Sequence, residues 1–295
     1  MISSAFTLKQ LEALIWVADL GSFRKAAAHL NTTQPNISSR IAGLEKTLGL
    51  SLMQRDTGSV QLTAKGAEIV AQARVVLQNA DTLLNIAGRP DLHTDRIRLG
   101  VTELVAYTWL REFMRRVSDV FPNVSFELTV DLSRNLDKEL ASNTLDLAIQ
   151  TAPFSVQTTG EIALGAYPFA WVAAPDIAAK PIDLYAQPIL THARGTVAYS
   201  ELRDRLGDRA NIVPSNALMS SLHMVLDGMG IAILPQVMAQ EHITSGALVA
   251  LPMDWRPTPL QFSARFQSDK ASGTVQAAAQ IAAEVATDHI LHSTV

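Results

Sequence analysis

Residues 21–66, GSFRKAAAHLNTTQPNISSRIAGLEKTLGLSLMQRDTGSVQLTAKG, constrain this chain more than any other stretch. Ser22 is a good N-cap. The segment it opens carries a small apolar face of Phe23, Ala26, Ala27 and Leu30, so a second helix can approach closely. Asn31-Thr32-Thr33 stops it with residues that favour turns. Thr33 then caps another helix, with Pro35 in the first turn, where its missing N–H costs nothing. Ile37, Ile41, Leu44 and Leu48 recur at helical spacing as a buried stripe. The opposite face shows Asn36, Ser39, Ala42, Gly43 and Lys46, with Arg40 on the flank. It is polar and small, with little bulk to keep it off another surface. Gly49 ends the helix, and residues 50–55 and 59–63 alternate as two strands about Asp56-Thr57-Gly58. The expectation is a winged helix-turn-helix, whose second helix fits a DNA major groove.

The linked motifs Gly-Ser-Phe, Thr-Gln-Pro-x-Ile-Ser, Ile-x-x-Leu-Glu-x-x-Leu-Gly, Leu-x-x-Arg and Leu-Thr-x-x-Gly resemble the DNA-binding domain of LysR-type transcriptional regulators. The resemblance implies double-stranded DNA with an inverted-repeat operator as partner. It places the contacts at Ser22, Thr33, Gln34, Pro35, Asn36, Ser38, Ser39 and Arg40, with Arg55 in the wing. Gln34 and Asn36 suit adenine N6 and N7, and Arg40 suits guanine or phosphate. The plainer alternative for Arg40 and Arg55 is surface ion pairing. Ser39 stands where many members carry Arg, Ala42 and Gly43 replace residues that are often basic, and Met53 replaces the usual Phe. The operator sequence therefore stays open.

The 295 residues are 48% hydrophobic, enough for more than one domain. No apolar run approaches the ~18 residues of a transmembrane helix. Residues 1–4 do not read as a signal peptide, so a cytoplasmic location is expected. The absence of cysteine excludes disulfides, thiol switches and Cys-ligated metal. Net charge is −4, but residues 1–66 hold seven bases and four acids, against 17 and 24 afterwards. A basic head on an acidic body fits a DNA-binding domain carried by something that does not touch DNA.

Phe6 to Leu20 reads as a helix behind the helix-turn-helix, with Leu11, Ile15 and Trp16 in the core or on a partner. Residues 63–87 read as a long linker helix striped by Ile69, Val70, Ala73, Val76, Leu77, Ala80, Leu83 and Leu84, which needs another chain to cover it, against the alternative that it folds back on the C-terminal body. In the family this helix dimerises, so a homodimer, and a homotetramer of such dimers, is implied. The expected division is a DNA-binding domain over 1–66, a linker helix over 67–88, a hinge over 89–95 and a body over 96–295.

In the body, strand 96–101, helix 104–121, strand 124–130, helix 133–142 and strand 145–150 imply a parallel α/β sheet. Strand material at 162–174 is interrupted at Tyr167-Pro168. A helix at 181–186, strand 188–192, helix 199–206, strand 211–213, helix 217–227 and strand 231–234 follow. Residues 260–266 form a strand running back, and 271–291 a closing helix. The fold class is thus α/β: two subdomains, 96–161 with 268–295 and 162–267. This is similar to the periplasmic-binding-protein-like effector domain of the LysR family. Ligands in such folds sit in the crevice between subdomains.

Loops after strands supply candidate effector residues: Thr102, Glu103, Thr129, Ser133, Thr151, His192, Arg194, Thr196, Asn216 and Ser220. Hydroxyls and helix N-terminal amides suit an organic anion. Arg194 and His192 are the charged anchors, against the alternative that His192 ends a strand and Arg194 is solvated. Gly228-Met229-Gly230 follows a helix and lacks the third glycine of a dinucleotide site, so it reads as a helix C-cap. His289 and His292 lack the company a metal needs, and no cofactor is expected. RNA polymerase is a further partner if the protein activates. The competing reading is an α/β binding module or enzyme with an incidental N-terminal helix pair; no catalytic constellation supports an enzyme.

Overall fold

The computed structural model describes residues 6–56, 59–87, 96–268 and 271–293. The expected turn at 57–58 and the hinge at 89–95 lie outside the described residues. Three helices open the chain: α1 (Leu8–Leu20), α2 (Phe23–His29) and α3 (Gln34–Leu48). Each start is set by a hydroxyl. Thr7 forms a capping box with Gln10, Ser22 Oγ accepts from the Lys25 N–H, and Thr33 Oγ1 accepts from the Asn36 N–H. Gly21 and Gly49 end α1 and α3 at φ +60° and +66°. Leu14, Val17, Ala26, Ile37, Leu44 and Leu52 are buried together, and Leu11 and Ile15 join this core while Trp16 packs half-buried against it.

The wing is β1 (Met53–Asp56) antiparallel to β2 (Ser59–Leu62). It leads into α4 (Ala64–Ile86). Gly66 is needed here, since a Cβ would lie 2.0 Å from the Leu52 carbonyl oxygen. The linker stripe is covered in part by its own chain. Val70 and Ala73 are buried against the helix-turn-helix core, Leu77 packs beside them, and Arg74 pairs with Asp19 of α1. Val76 and Leu83 remain exposed.

The body begins with β3 (Arg96–Val101), α5 (Glu103–Tyr107), α6 (Leu110–Val120), β4 (Ser125–Val130), α7 (Ser133–Ala141), β5 (Leu147–Thr151) and β6 (Gly160–Tyr167). One helix was expected over 104–121. It breaks at Thr108-Trp109, where Thr108 Oγ1 bonds back to the Leu104 carbonyl at 2.7 Å and Trp109 turns into the core. The chain continues through β7 (Phe169–Ala173), α8 (Pro175–Ala178), β8 (Ile189–His192), α9 (Val197–Leu206), β9 (Ile212–Ser215), α10 (Leu218–Leu226), β10 (Ile231–Pro235), α11 (Gln236–Thr244), β11 (Val249–Ala250), β12 (Leu260–Phe266) and α12 (Gly273–Ser293). The helix expected at 181–186 is absent. Pro175 starts α8 earlier instead, and α11 went unread because its start follows a strand directly.

Two five-stranded sheets result, ordered β4-β3-β5-β12-β6 and β11-β7-β10-β8-β9. Neither is purely parallel. β12 runs antiparallel between β5 and β6, and β10 pairs β8 in parallel but β7 antiparallel. The sheets also divide the chain differently from the expected 162–267. β6 and β12 both belong to the first sheet, so the chain crosses at Pro168 and returns between Ala250 and Leu260. Closing helix α12 buries Ala278, Ala279, Ala282, Val285 and Ala286 in the main core. Among the described residues no helix is long and apolar enough to cross a membrane.

Candidate functional site

Two surfaces bring the sequence-derived residues together. On the first, Gln34, Pro35, Asn36 and Ser39 are exposed at the N-terminal half of α3, with Ser38 and Arg40 half-buried behind them. Thr33 caps the helix, and Thr32 Oγ1 accepts from Asn36 Nδ2 at 3.2 Å, so the amide most suited to adenine is oriented from below. Ser22 caps α2. Gly43 is not part of the open face, because a Cβ there would meet Gln10 Nε2 of α1 at 3.0 Å. The Arg55 side chain lies outside the described residues.

The second surface is a cavity of about 400 Å³ where the two sheets meet. Thr102, Glu103, Ser133 and Thr151 line it from strand ends and helix starts around the first sheet, and His192, Thr196 and Asn216 from those around the second. Thr129 is not in the wall. Neighbouring strand residues point to opposite faces, and it is Val130 that reaches the cavity. Ser220 sits on the exposed side of α10, and the Arg194 side chain is exposed outside the wall. Sequence reasoning missed Arg134, Asp131, Pro153 and Phe262, which do line it.

Two contacts cross the crevice. Arg134 of α7 donates to the Arg194 carbonyl at 2.8 Å. Glu103 of α5 accepts from the Leu218 N–H, and from the Met219 N–H at 3.3 Å, so it caps α10 from the other subdomain. Nearby, Ser133 Oγ accepts from the Thr151 N–H at 3.0 Å. Gly228-Met229-Gly230 closes α10 as a C-cap turn, with Gly228 at φ +70°.

Residues 8–67 match the bacterial regulatory helix-turn-helix protein of the lysR family, and residues 90–287 match the LysR substrate binding domain. This chain belongs to the LysR family of transcriptional regulators. It is 29% identical over 261 residues to the HTH-type transcriptional regulator CbbR of Cereibacter sphaeroides, covering 84% of each chain. It is 26% identical over 299 residues to a probable hydrogen peroxide-inducible genes activator of Mycobacterium leprae, covering 96% of each. Full-length LysG of Corynebacterium glutamicum, solved with bound effector Arg, shares the fold at TM-score 0.62 and 19% identity, covering 96% of this chain and 99% of that one. ArgP of Mycobacterium tuberculosis does so at TM-score 0.62 and 20% identity, covering 94% and 96%. The relatives are named regulators, so this LysR-type protein is a regulator rather than an enzyme, and its helix pair is not incidental.

Within the regulator's effector domain, His192 is not the cation expected from sequence. Burial pushes its imidazole down to about 4, and the Arg134 charge adds to this. With the folded value at about 4, the unfolded chain takes up the proton first, from about 6.5 downward, so falling pH favours unfolding. Relative to His192→Gln, the wild-type protein is expected to lose stability as pH falls from about 6.5 to 4, with no difference above. Urea midpoints of the two proteins across pH 4.5–7.5 measure this; parallel profiles would contradict it.

Proposed function

We propose that this LysR-type regulator reads an inverted-repeat operator through paired α3 helices and is switched by a small organic anion in the crevice. The observation that carries the DNA reading is the exposed Gln34-Pro35-Asn36 end of α3, capped and oriented by Thr33 and Thr32. Gln34 and Asn36 read adenine edges, Arg40 reads guanine or holds phosphate, and Arg55 contacts backbone from the wing. Two chains pair through α4 and set two recognition helices in successive grooves; two such dimers form a tetramer. RNA polymerase is a partner where the regulator activates. The protein works where its DNA is, in the cytoplasm.

Thr102, Ser133, Thr151, His192, Thr196 and Asn216 contact the effector, and Arg134 takes the anchoring role that sequence reasoning gave to Arg194. The ligand shifts the arrangement of subdomains only by its preference for one state.

Arg40→Ala tests the DNA reading. One lost base or phosphate contact is worth ~1–3 kcal/mol, so operator affinity should fall about 5- to 150-fold with the circular dichroism spectrum unchanged. The operator itself comes from sequencing genomic fragments retained by the protein, which should be enriched in a dyad. Unchanged gel-shift affinity of the variant would remove Arg40 from the interface.

A further inference from the structure

The helix ends around the crevice differ in whether an acid of the protein already sits on them. Glu103 holds the start of α10 through the Leu218 and Met219 N–H groups. Asp131 holds the start of α7, accepting from the Leu132 N–H at 2.6 Å and from Asn135 Nδ2 at 2.9 Å. At the start of α9 no carboxylate is present among the described residues. A cation stands there instead. Arg134 reaches across from α7, and its guanidinium bonds the Arg194 carbonyl at 2.8 Å. It comes so close to the α9 entry that a Cβ on Gly195, which has φ +83°, would lie 3.2 Å from it. Among the described residues no acid pairs with Arg134. Four of its five N–H donors remain for a ligand. Thr102 Oγ1 is also buried in the wall without a hydrogen-bond partner. Leu104, Pro153, Leu260 and Phe262 give the wall an apolar stretch beside the polar Ser133, Thr151, His192, Thr196 and Asn216.

We infer that the effector is a small organic monoacid. Its one acidic head bonds Arg134 at the N-terminal end of α9, and its apolar body lies against Leu260 and Phe262. Glu103 and Asp131 act as built-in anions that leave no place for a second acid group. This rests on the crevice being the effector site. The head gains charge-assisted hydrogen bonds from a fork-shaped donor, with the helix end adding to the field. A second carboxylate brought next to Glu103 or Asp131, or left against Leu260 and Phe262, is costly.

Calorimetric titration of the full chain with hexanoate, 3-phenylpropionate, adipate and hexanamide tests this. The two monoacids should bind at least 10-fold more tightly than adipate or hexanamide. Arg134→Gln should weaken the monoacids about 10- to 100-fold, Arg134→Lys less, and Arg194→Ala not at all, because that side chain lies outside the wall. Adipate or hexanamide binding as tightly, or an Arg134→Gln protein that binds the monoacids unchanged, overturns the inference. If the monoacids fail but an amino acid, sugar or nucleoside shows saturable binding that is lost on Thr102→Val, the ligand class is wrong and the crevice reading stands. No saturable binding by any of these compounds overturns both.

Discussion

Replacing Val76 and Leu83 together by aspartate is expected to turn the proposed α4-paired dimer into a monomer and to weaken operator binding by about 10²- to 10⁴-fold. The range is the gain a second tethered module confers when both can engage. The physical basis is the split character of α4. Its inner face is occupied within the chain by Val70, Ala73 and the Arg74–Asp19 pair. Its outer face presents Val76 and Leu83, which are 39% and 66% exposed and lie two turns apart. Two aspartates there would face a second copy's apolar stripe unpaired, whereas they cost the monomer little. Ala71→Asp, on another exposed side of the helix, controls for added charge. Sedimentation velocity reads the mass, and a gel shift on the full dyad against a half-site reads the lost bivalency. A double variant that sediments as a dimer would assign pairing to some other surface.

Asp137→Ala should destabilise the effector domain by about 3–5 kcal/mol, the usual cost of removing one partner from a buried ion pair. Asp137 is 1% exposed and Arg265 2%. Arg265 reaches Asp137 Oδ1 at 2.8 Å, Gln150 Nε2 donates to the same oxygen at 2.6 Å, and Ser155 donates from its N–H and its hydroxyl to the other. Burial alone would raise this carboxyl. The bonds from Ser155 and Gln150 and the Arg265 charge outweigh it and hold Asp137 below the usual carboxylate range. Removing the acid leaves Arg265 charged, buried and stacked on Phe154 with its cation 3.8 Å from the ring centre. Paired replacement, Asp137→Leu with Arg265→Met, should recover much of the loss, since replacing both partners by apolar groups is often near neutral. The cluster also ties α7, which carries Ser133 and Arg134, to residues 155–156 just beyond Pro153 in the cavity wall. Denaturant titration of the two variants beside the wild type measures the stabilities. A single variant as stable as wild type would show that Glu161, 3.5 Å from Arg265 Nε, or water takes over the pairing.

What the sequence by itself determined is local. Ser22, Thr33, Pro35 and Gly49 set the ends of two short helices whatever lies around them, because capping and left-handed turns act over four residues. The same holds for the α10 cap at Gly228 and for strands such as β3 and β12, in which apolar residues recur at every second position (97, 99, 101 and 260, 262, 264, 266). The recognition face of α3 was legible for this reason, as was the position of Thr102 and Thr196 just before helices α5 and α9. Other features depended on partners far along the chain. Gly43 looks like part of an open face until α1 packs on it, and half of the α4 stripe is spent on α1. β6 and β12 join the first sheet because strand pairing is set by register between segments about a hundred residues apart, which no periodicity records. The crevice shows the difference most sharply. Glu103 reads as an acid facing the ligand, yet it caps a helix 115 residues away; Arg194 reads as the anchor, yet only its carbonyl is used, by Arg134. Charge in a sequence fixes which groups exist, but the tertiary structure decides which of them are already paired, and so which remain for a ligand.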